Sequence, residues 1–385
     1  MERGQAIKFM QDLLRAMVSR NGSDLFITAG FPPAIKVDGE LTAVTDKPLT
    51  VEQAAMLSRA IMNDRQSKEF DASKECNFAI SPSGIGRFRV NAFIQQGRTG
   101  CVLRTLTTDI PDFDTLELPP VLKKVIMEKR GLIIVVGATG SGKSTSLAGM
   151  LGVRNRDSRG HIVTIEDPIE YVHTHRGCVV TQREVGVDTD SWGAALKNTL
   201  RQAPDVILIG EIRDRETMQY AVQFAETGHL CLSTLHANNA NQALDRIINL
   251  YPDEKREQLL MDLSLNLKGI VSQRLLLKKG TKGRVPAVEV MLNSPLISDL
   301  IFKGEVAEIK EIMSKSTNLG MQTFDQALFD LYEADKITYE EAIRNADSQN
   351  ELRLRIKLES KHTDKVGDDD LKGLSIMEED KGVKM

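Results

Sequence analysis

At 385 residues, with 41% hydrophobic and 27% charged side chains, the chain has material for two domains or more and for sizeable cores. A net charge of −4 disfavours a surface built for nucleic acid, and no apolar run reaches the length of a membrane-spanning helix. The four cysteines, Cys76, Cys101, Cys178 and Cys231, are isolated, which argues against a zinc site or a disulfide framework; with no secretory signal read at the N-terminus, a cytoplasmic protein is expected.

Ile7, Met10, Leu13, Leu14, Met17 and Val18 recur at helical spacing and predict a helix over 5–18. Strands are predicted over 23–28 and 34–37, the second closed by the turn signal Asp38-Gly39. A helix over 51–62 follows, with Thr50 as N-cap. Strands over 76–80, 87–95 and 99–106 complete a small α+β domain spanning 1–106. Residues 107–120 carry Pro111, Pro119, Pro120 and several acidic residues and read as a linker. A second domain is expected over 121–346, opening with a helix over 121–129 and a buried strand over 132–136. Strands over 162–165, 179–181, 206–209 and 230–235 alternate with helical patterns. The expected fold is therefore α/β, with a mostly parallel sheet that carries its ligand at the strands' C-terminal ends. Helices are then expected over 243–250, 254–277, 298–302, 305–313, 323–333 and 339–346, with one strand over 288–292. Residues 347–385 form a charged tail: a helix can extend over 352–358, and beyond Lys361 the acidic runs predict disorder.

The stretch Gly137-Ala138-Thr139-Gly140-Ser141-Gly142-Lys143-Ser144 fills the pattern G-x-x-x-x-G-K-[ST], and Thr145 opens the helix behind it. With a strand before and a helix after, this is the context of a P-loop. Glycines let successive N–H groups point into a concavity that suits phosphate oxygens. Lys143 can reach the β/γ-phosphates, and the Ser144 hydroxyl can sit on Mg²⁺. Two further strands end in acids: one at Glu166, Asp167 and Glu170, the other at Glu211, displaced beyond Gly210. Converging on one metal–phosphate site, such carboxylates can divide the work, one orienting water as base and one helping to hold the metal. His229 and His236 bracket the strand over 230–235 and belong to its opposite ends. His236, at the C-terminal end, is the better placed for a γ-phosphate, and His229 reads as structural or as an interface group. Arg87, Arg89, Arg98 and Arg104 read either as solvated strand-face charges or as arginines offered to a neighbouring subunit's phosphate.

Taken together, G-A-T-G-S-G-K-S-T (137–145), H-I-V-T-I-E-D-P-I-E-Y-V-H (161–173), V-I-L-I-G-E-I-R-D (206–214) and T-G-H-L-C-L-S-T-L-H (227–236) resemble, in order, the Walker A, Asp-box, Walker B and His-box segments of the PilT/PilU family of type IV pilus motor ATPases. G-R-F-R-V-N-A-F (86–93) and S-D-L-F-I-T-A-G-F-P-P (23–33) resemble its N-terminal domain. The resemblance implies a PAS-like N-terminal domain and a RecA-like ATPase domain, assembled as a homohexameric ring that binds ATP and Mg²⁺ between subunits. It implies Glu166 as the base, Glu211 as the Walker B acid near Mg²⁺, His229 and His236 as γ-phosphate sensing or interface groups, and Arg89 and Arg104 as inter-subunit arginines. The implied partners are PilT and the pilus platform protein in the inner membrane. The segment Leu296-Ile-Ser-Asp-Leu-Ile-Phe302 lacks the arginines of the A-I-R-N-L-I-R-E-like helix of retraction motors, a departure that looks like the PilU branch. An accessory retraction motor is thus the leading expectation. The alternatives are an extension or type II secretion ATPase, and a non-hydrolysing ATP-binding scaffold for PilT.

Overall fold

Two sheets of different character lie on either side of the linker. In this computed structural model, residues 2–37, 39–106 and 110–362 are described. The N-terminal part runs α1 (Arg3–Ser19), β1 (Asp24–Ile27), β2 (Ala34–Val37), β3 (Glu40–Ala43), α2 (Val51–Ala60), α3 (Asp64–Ser73), β4 (Glu75–Ile80), β5 (Arg87–Gln95) and β6 (Arg98–Leu106). Its antiparallel sheet has the order β3-β2-β1-β6-β5-β4. One face is covered by α1, whose Ala6, Met10, Leu13, Leu14 and Met17 form the apolar stripe that the spacing predicts. Helix α2 starts at a capping box: Thr50 Oγ1 accepts the Gln53 N–H at 3.2 Å, and the Gln53 side chain accepts the Thr50 N–H at 2.9 Å. The sequence reading lacks β3 and α3, and both are weakly patterned. All four residues of β3 are exposed, and α3 buries only Gln66 and Phe70.

After α4 (Val121–Val125) comes the sheet that builds the site. The chain continues through β7 (Gly131–Val136), α5 (Lys143–Asp157), β8 (Gly160–Glu166), β9 (Cys178–Glu184), α6 (Trp192–Thr199), β10 (Val206–Ile209), α7 (Arg215–Glu226), β11 (Leu230–Leu235), α8 (Ala240–Asn249), α9 (Asp253–Asn266), β12 (Leu267–Leu277) and β13 (Arg284–Leu292). The order is β13-β12-β7-β11-β10-β8-β9, parallel except for β13. Every residue of β7 is buried because both faces are covered. Leu132, Ile134 and Val136 join a core with α7, α8 and α9, while Ile133 and Val135 join another with Leu147, Met150 and Leu151 of α5.

The helix expected over 254–277 is corrected by the structure. It stops at Asn266, and residues 267–277 are β12, paired in parallel with β7 and antiparallel with β13. Helical periodicity in an apolar run does not separate a buried helix from a buried strand, and here the sheet edge beside β7 decides. Gly269 marks the strand: a Cβ there would lie 2.6 Å from Met291 O on β13.

The chain closes with α10 (Pro295–Lys303), α11 (Ile309–Lys315), α12 (Phe324–Glu333), α13 (Tyr339–Asn345) and α14 (Gln349–Glu359). Leu352 and Ile356 of α14 are buried with Phe324 and Leu328 against Leu276, Val285 and Ala287 of the β12–β13 hairpin. The disorder expected beyond Lys361 falls on 363–385, outside the described residues; so do Asp38 of the turn signal and 107–109 of the linker.

Three successive polar residues interrupt β12, and each serves a different neighbour. Ser272 Oγ donates to Glu289 Oε1 at 2.9 Å, and the same oxygen accepts the Ala240 N–H, at the start of α8, at 2.7 Å. Gln273 supports the P-loop, as described below. Arg274 reaches Asp347 Oδ1 at 2.6 Å and lies 3.9 Å over the Phe324 ring. Glu289 is almost wholly buried, and burial raises its pKa to about 7 against the opposing pull of Ala240 and Ser272. A carboxyl raised in the folded state stabilises fully below its unfolded value, and that contribution is lost as pH rises through 7. Glu289→Gln keeps an acceptor for both donors. Relative to wild type, it should gain on the order of 3 kcal/mol between pH 4.5 and pH 8. Thermal unfolding followed across that range checks this: parallel curves for the two proteins would contradict it.

Candidate active site

The C-terminal ends of β7, β8, β10 and β11 meet at one cleft of about 440 Å³. Its lining includes Thr139, Gly140, Gly142, Lys143, Ser144, Thr145, Glu166, Asp167, Glu170, Gly210, Glu211 and His236. Residues from all four sequence segments therefore converge, as expected where parallel strands end.

The loop Gly137–Gly142 fits only glycine at key positions. A Cβ on Gly137 would lie 2.4 Å from Ser141 Oγ and 2.6 Å from Gln273 O. Gly142 has φ +88°, and its Cβ would lie 2.7 Å from Gln273 Nε2. Gln273 Oε1 in turn accepts the Ser146 hydroxyl at 2.6 Å, so β12 props the loop and the first turn of α5 from beneath. Lys143 Nζ donates to Gly137 O at 2.8 Å and Ala138 O at 3.0 Å. Burial lowers the Lys143 pKa, opposed by Glu211 and Glu170. The concave N–H groups, the α5 N-terminus and the lysine together form an anion cradle.

Opposite the cradle, Glu166 Oε1 accepts from Thr164 Oγ1 at 2.6 Å and from Gln182 Nε2 at 3.2 Å. Burial raises its pKa above the usual carboxylate range despite these bonds, which brings the base strength nearer neutral pH. Tyr171 Oη lies 2.8 Å from Thr145 Oγ1 and ties the loop after Glu166 to α5. Glu211 is held from two sides: Arg213 Nε donates to Oε2 at 2.8 Å, and His236 Nε2 lies 3.1 Å from Oε1. Arg213 also reaches Asp167 Oδ2 at 3.5 Å, so one guanidinium bridges the two acidic loops.

The other candidates lie outside this lining. His229 stands at the opposite end of β11, with Nδ1 3.1 Å from Thr227 Oγ1. Arg89 and Arg104 face each other across β5 and β6 in the N-terminal sheet, both exposed, and Arg104 Nε donates to Asp24 Oδ1 at 2.7 Å. Exposed Arg98 begins β6, and Arg87 pairs with Glu184 of β9. The sequence reading missed Gln273, Trp192, Arg213, Leu275 and Arg284. The last four line the cleft. Polar residues inside an apolar strand were the one signal available for Gln273.

The Type II/IV secretion system protein family matches residues 2–291. The chain belongs to this family. It is 61% identical to the type IV pilus ATPase PilU of Pseudomonas aeruginosa over 91% of this chain and 92% of that one. It is 42% identical to the "Type IV pilus retractation ATPase PilT" of the same organism, over 87% of this chain and 97% of that one. A crystal structure of the pilus retraction motor PilT with bound ADP superposes with a TM-score of 0.84 at 39% identity, covering 89% of this chain and 98% of that one. Among the described residues, no helix is long and apolar enough to cross a membrane.

Trp192 is the only tryptophan of the chain, and it lines the cleft beside Gly210. Its fluorescence should therefore change on titration with a nucleoside triphosphate. In Lys143→Ala the same change should need at least tens-fold more ligand, because the cradle loses its cation. Superimposable titrations would remove Lys143 from the phosphate site.

Proposed function

We propose that the chain is an ATP-hydrolysing accessory retraction motor of type IV pili. One observation carries the hydrolytic part: Glu166, with its raised pKa, faces the Lys143–Ser144 cradle within a single cleft. Similarity over nine-tenths of the chain to a type IV pilus ATPase supports the pilus part.

In this reading the N–H groups of residues 138–145 and Lys143 hold the β- and γ-phosphates, and Glu166 orients the attacking water and takes its proton. His236 reads the γ-phosphate through its contact with Glu211. The donor set fits Mg²⁺. No cluster of three or more His, Cys, Asp or Glu ligands occurs among the described residues, and Mg²⁺ is characteristically held by one or two protein oxygens plus phosphates and water. Ser144 and Glu211 would supply those oxygens, and the ion would neutralise phosphate charge.

Arg89 and Arg104 sit directly opposite each other, an arrangement that costs stability unless anions meet it. Asp24 offsets one of them. A neighbouring subunit's nucleotide would offset both, in a homohexameric ring whose N-terminal domains are PAS-like. His229, far from its own cleft, would act at such an interface. The ring would act from the cytoplasm on the inner-membrane platform protein. It would depend on PilT, because the α10 segment from Leu296 to Phe302 lacks the arginines expected of an autonomous motor.

Purified Lys143→Ala should lose hydrolysis. Glu166→Gln should bind nucleotide but lose tens-fold or more in kcat. Because a base must be deprotonated, the wild-type rate should climb with pH through a pKa above the usual carboxylate range, and this acid limb should vanish in Glu166→Gln. An identical limb in both proteins would move the base elsewhere. A deletion strain should keep its surface pili and retract them poorly; loss of surface pili would indicate extension instead.

A further inference from the structure

Glu184, at the end of β9, is buried to 2% exposure, and its backbone faces Glu166 in the parallel register of β8 and β9. The Val185 N–H donates to Glu166 O at 2.9 Å. The side chain turns to the same loop: Glu184 Oε2 accepts the Ile169 N–H at 3.1 Å. That single oxygen also receives the guanidinium of Arg87, from β5 of the N-terminal domain, whose side chain is 18% exposed. Two groups thus meet on one buried oxygen. One belongs to the N-terminal sheet and the other to the loop that follows Glu166. Nearby, Arg65 of α3 lies 3.3 Å from Asp190, six residues beyond Glu184, so the N-terminal domain meets the end of β9 and the segment after it at two points. The second contact is exposed and worth little. The first is desolvated, and removing either partner leaves a buried charge uncompensated.

We propose that Arg87 and Glu184 are a positioning pair through which the N-terminal domain sets the geometry of the Glu166–Glu170 loop. Without Arg87 the Glu184 carboxylate loses its counter-charge, the Ile169 N–H loses its fixed acceptor, and Glu166 leaves the position from which it directs water. Arg87 acts through Glu184 and touches no phosphate, unlike an arginine offered to a neighbour. The proposal rests on Glu166 as the water-orienting base.

The test measures steady-state kcat and KM for ATP in the full-length protein, with Trp192 fluorescence reporting nucleotide binding. Arg87→Ala should lower kcat roughly tenfold or more, since small displacements of a catalytic group cost this much, with KM within about twofold. Glu184→Gln keeps an acceptor for Ile169 but removes the ion pair, and should fall by a similar factor. The double variant should be no slower than the slower single one, because both break the same link. Arg87→Lys, which restores the charge, should recover most of kcat. An unchanged kcat in Arg87→Ala, or losses that multiply in the double variant, would overturn the pairing. So would a rise in KM at constant kcat, which marks a direct nucleotide contact. Glu166→Gln is run alongside. If that variant turns over like wild type, the base assignment fails and takes the proposal with it; if it is slow while Arg87→Ala is unchanged, only the proposal fails.

Discussion

A parallel sheet covered on both faces has no room for polar chemistry along its strands, so function is confined to where the strands end. The site obeys this constraint closely. Glu166 is the last residue of β8, Glu211 lies two beyond β10, His236 follows β11, and Lys143 opens the helix after β7. The same burial that pins these residues sets their chemistry. It drives Glu166 and Lys143 in one sense, towards the neutral form: the acid's pKa rises and the lysine's falls. An arriving anion would restore the lysine's charge and push the acid's proton affinity further up.

The segments with rigid local rules were legible in the sequence. The P-loop announces itself because positive-φ glycines, a lysine and a hydroxyl must stand at fixed spacing. Short apolar runs marked β7, β8, β10 and β11, the first three rich in β-branched residues. The cap at Thr50 is likewise local. What depends on tertiary partners was opaque. The run 267–277 carries apolar residues that suit either a helix or a strand, and only the vacant edge of β7 makes it β12. Gln273, over a hundred residues from the loop it props, shows locally only as a polar residue within an apolar run. Trp192 and Arg284 enter the cleft through the register of distant elements. The two histidines show the limit from the other side. Chain order placed them at opposite ends of one strand, but no spacing rule says that His236 alone enters the cleft.

Charge is distributed so that Glu166, Asp167 and Glu211 each meet a partner in the cleft. Arg213 spans Glu211 and Asp167, His236 meets Glu211, and Thr164 with Gln182 steadies Glu166. Such a network holds carboxylates close together without strong mutual repulsion. The N-terminal sheet adds Arg87 on Glu184, whose carboxylate accepts the Ile169 N–H, so the acid-bearing loop meets one guanidinium directly at Asp167 and another through Glu184.

The polar triplet of β12 has a consequence for how the chain can vary. Ser272 and Arg274 project to one face of the sheet and Gln273 to the other, towards α8, the C-terminal helices and the P-loop respectively. Substitutions at any one of them disturb one neighbour. A single inserted or deleted residue would exchange the faces of all three, disconnecting the α8 cap, the phosphate loop and the C-terminal bundle together. Length change must therefore be absorbed at the hairpin tip over 278–283, where Gly280 and Gly283 already take positive φ angles. The strand tolerates change of spelling and forbids change of frame.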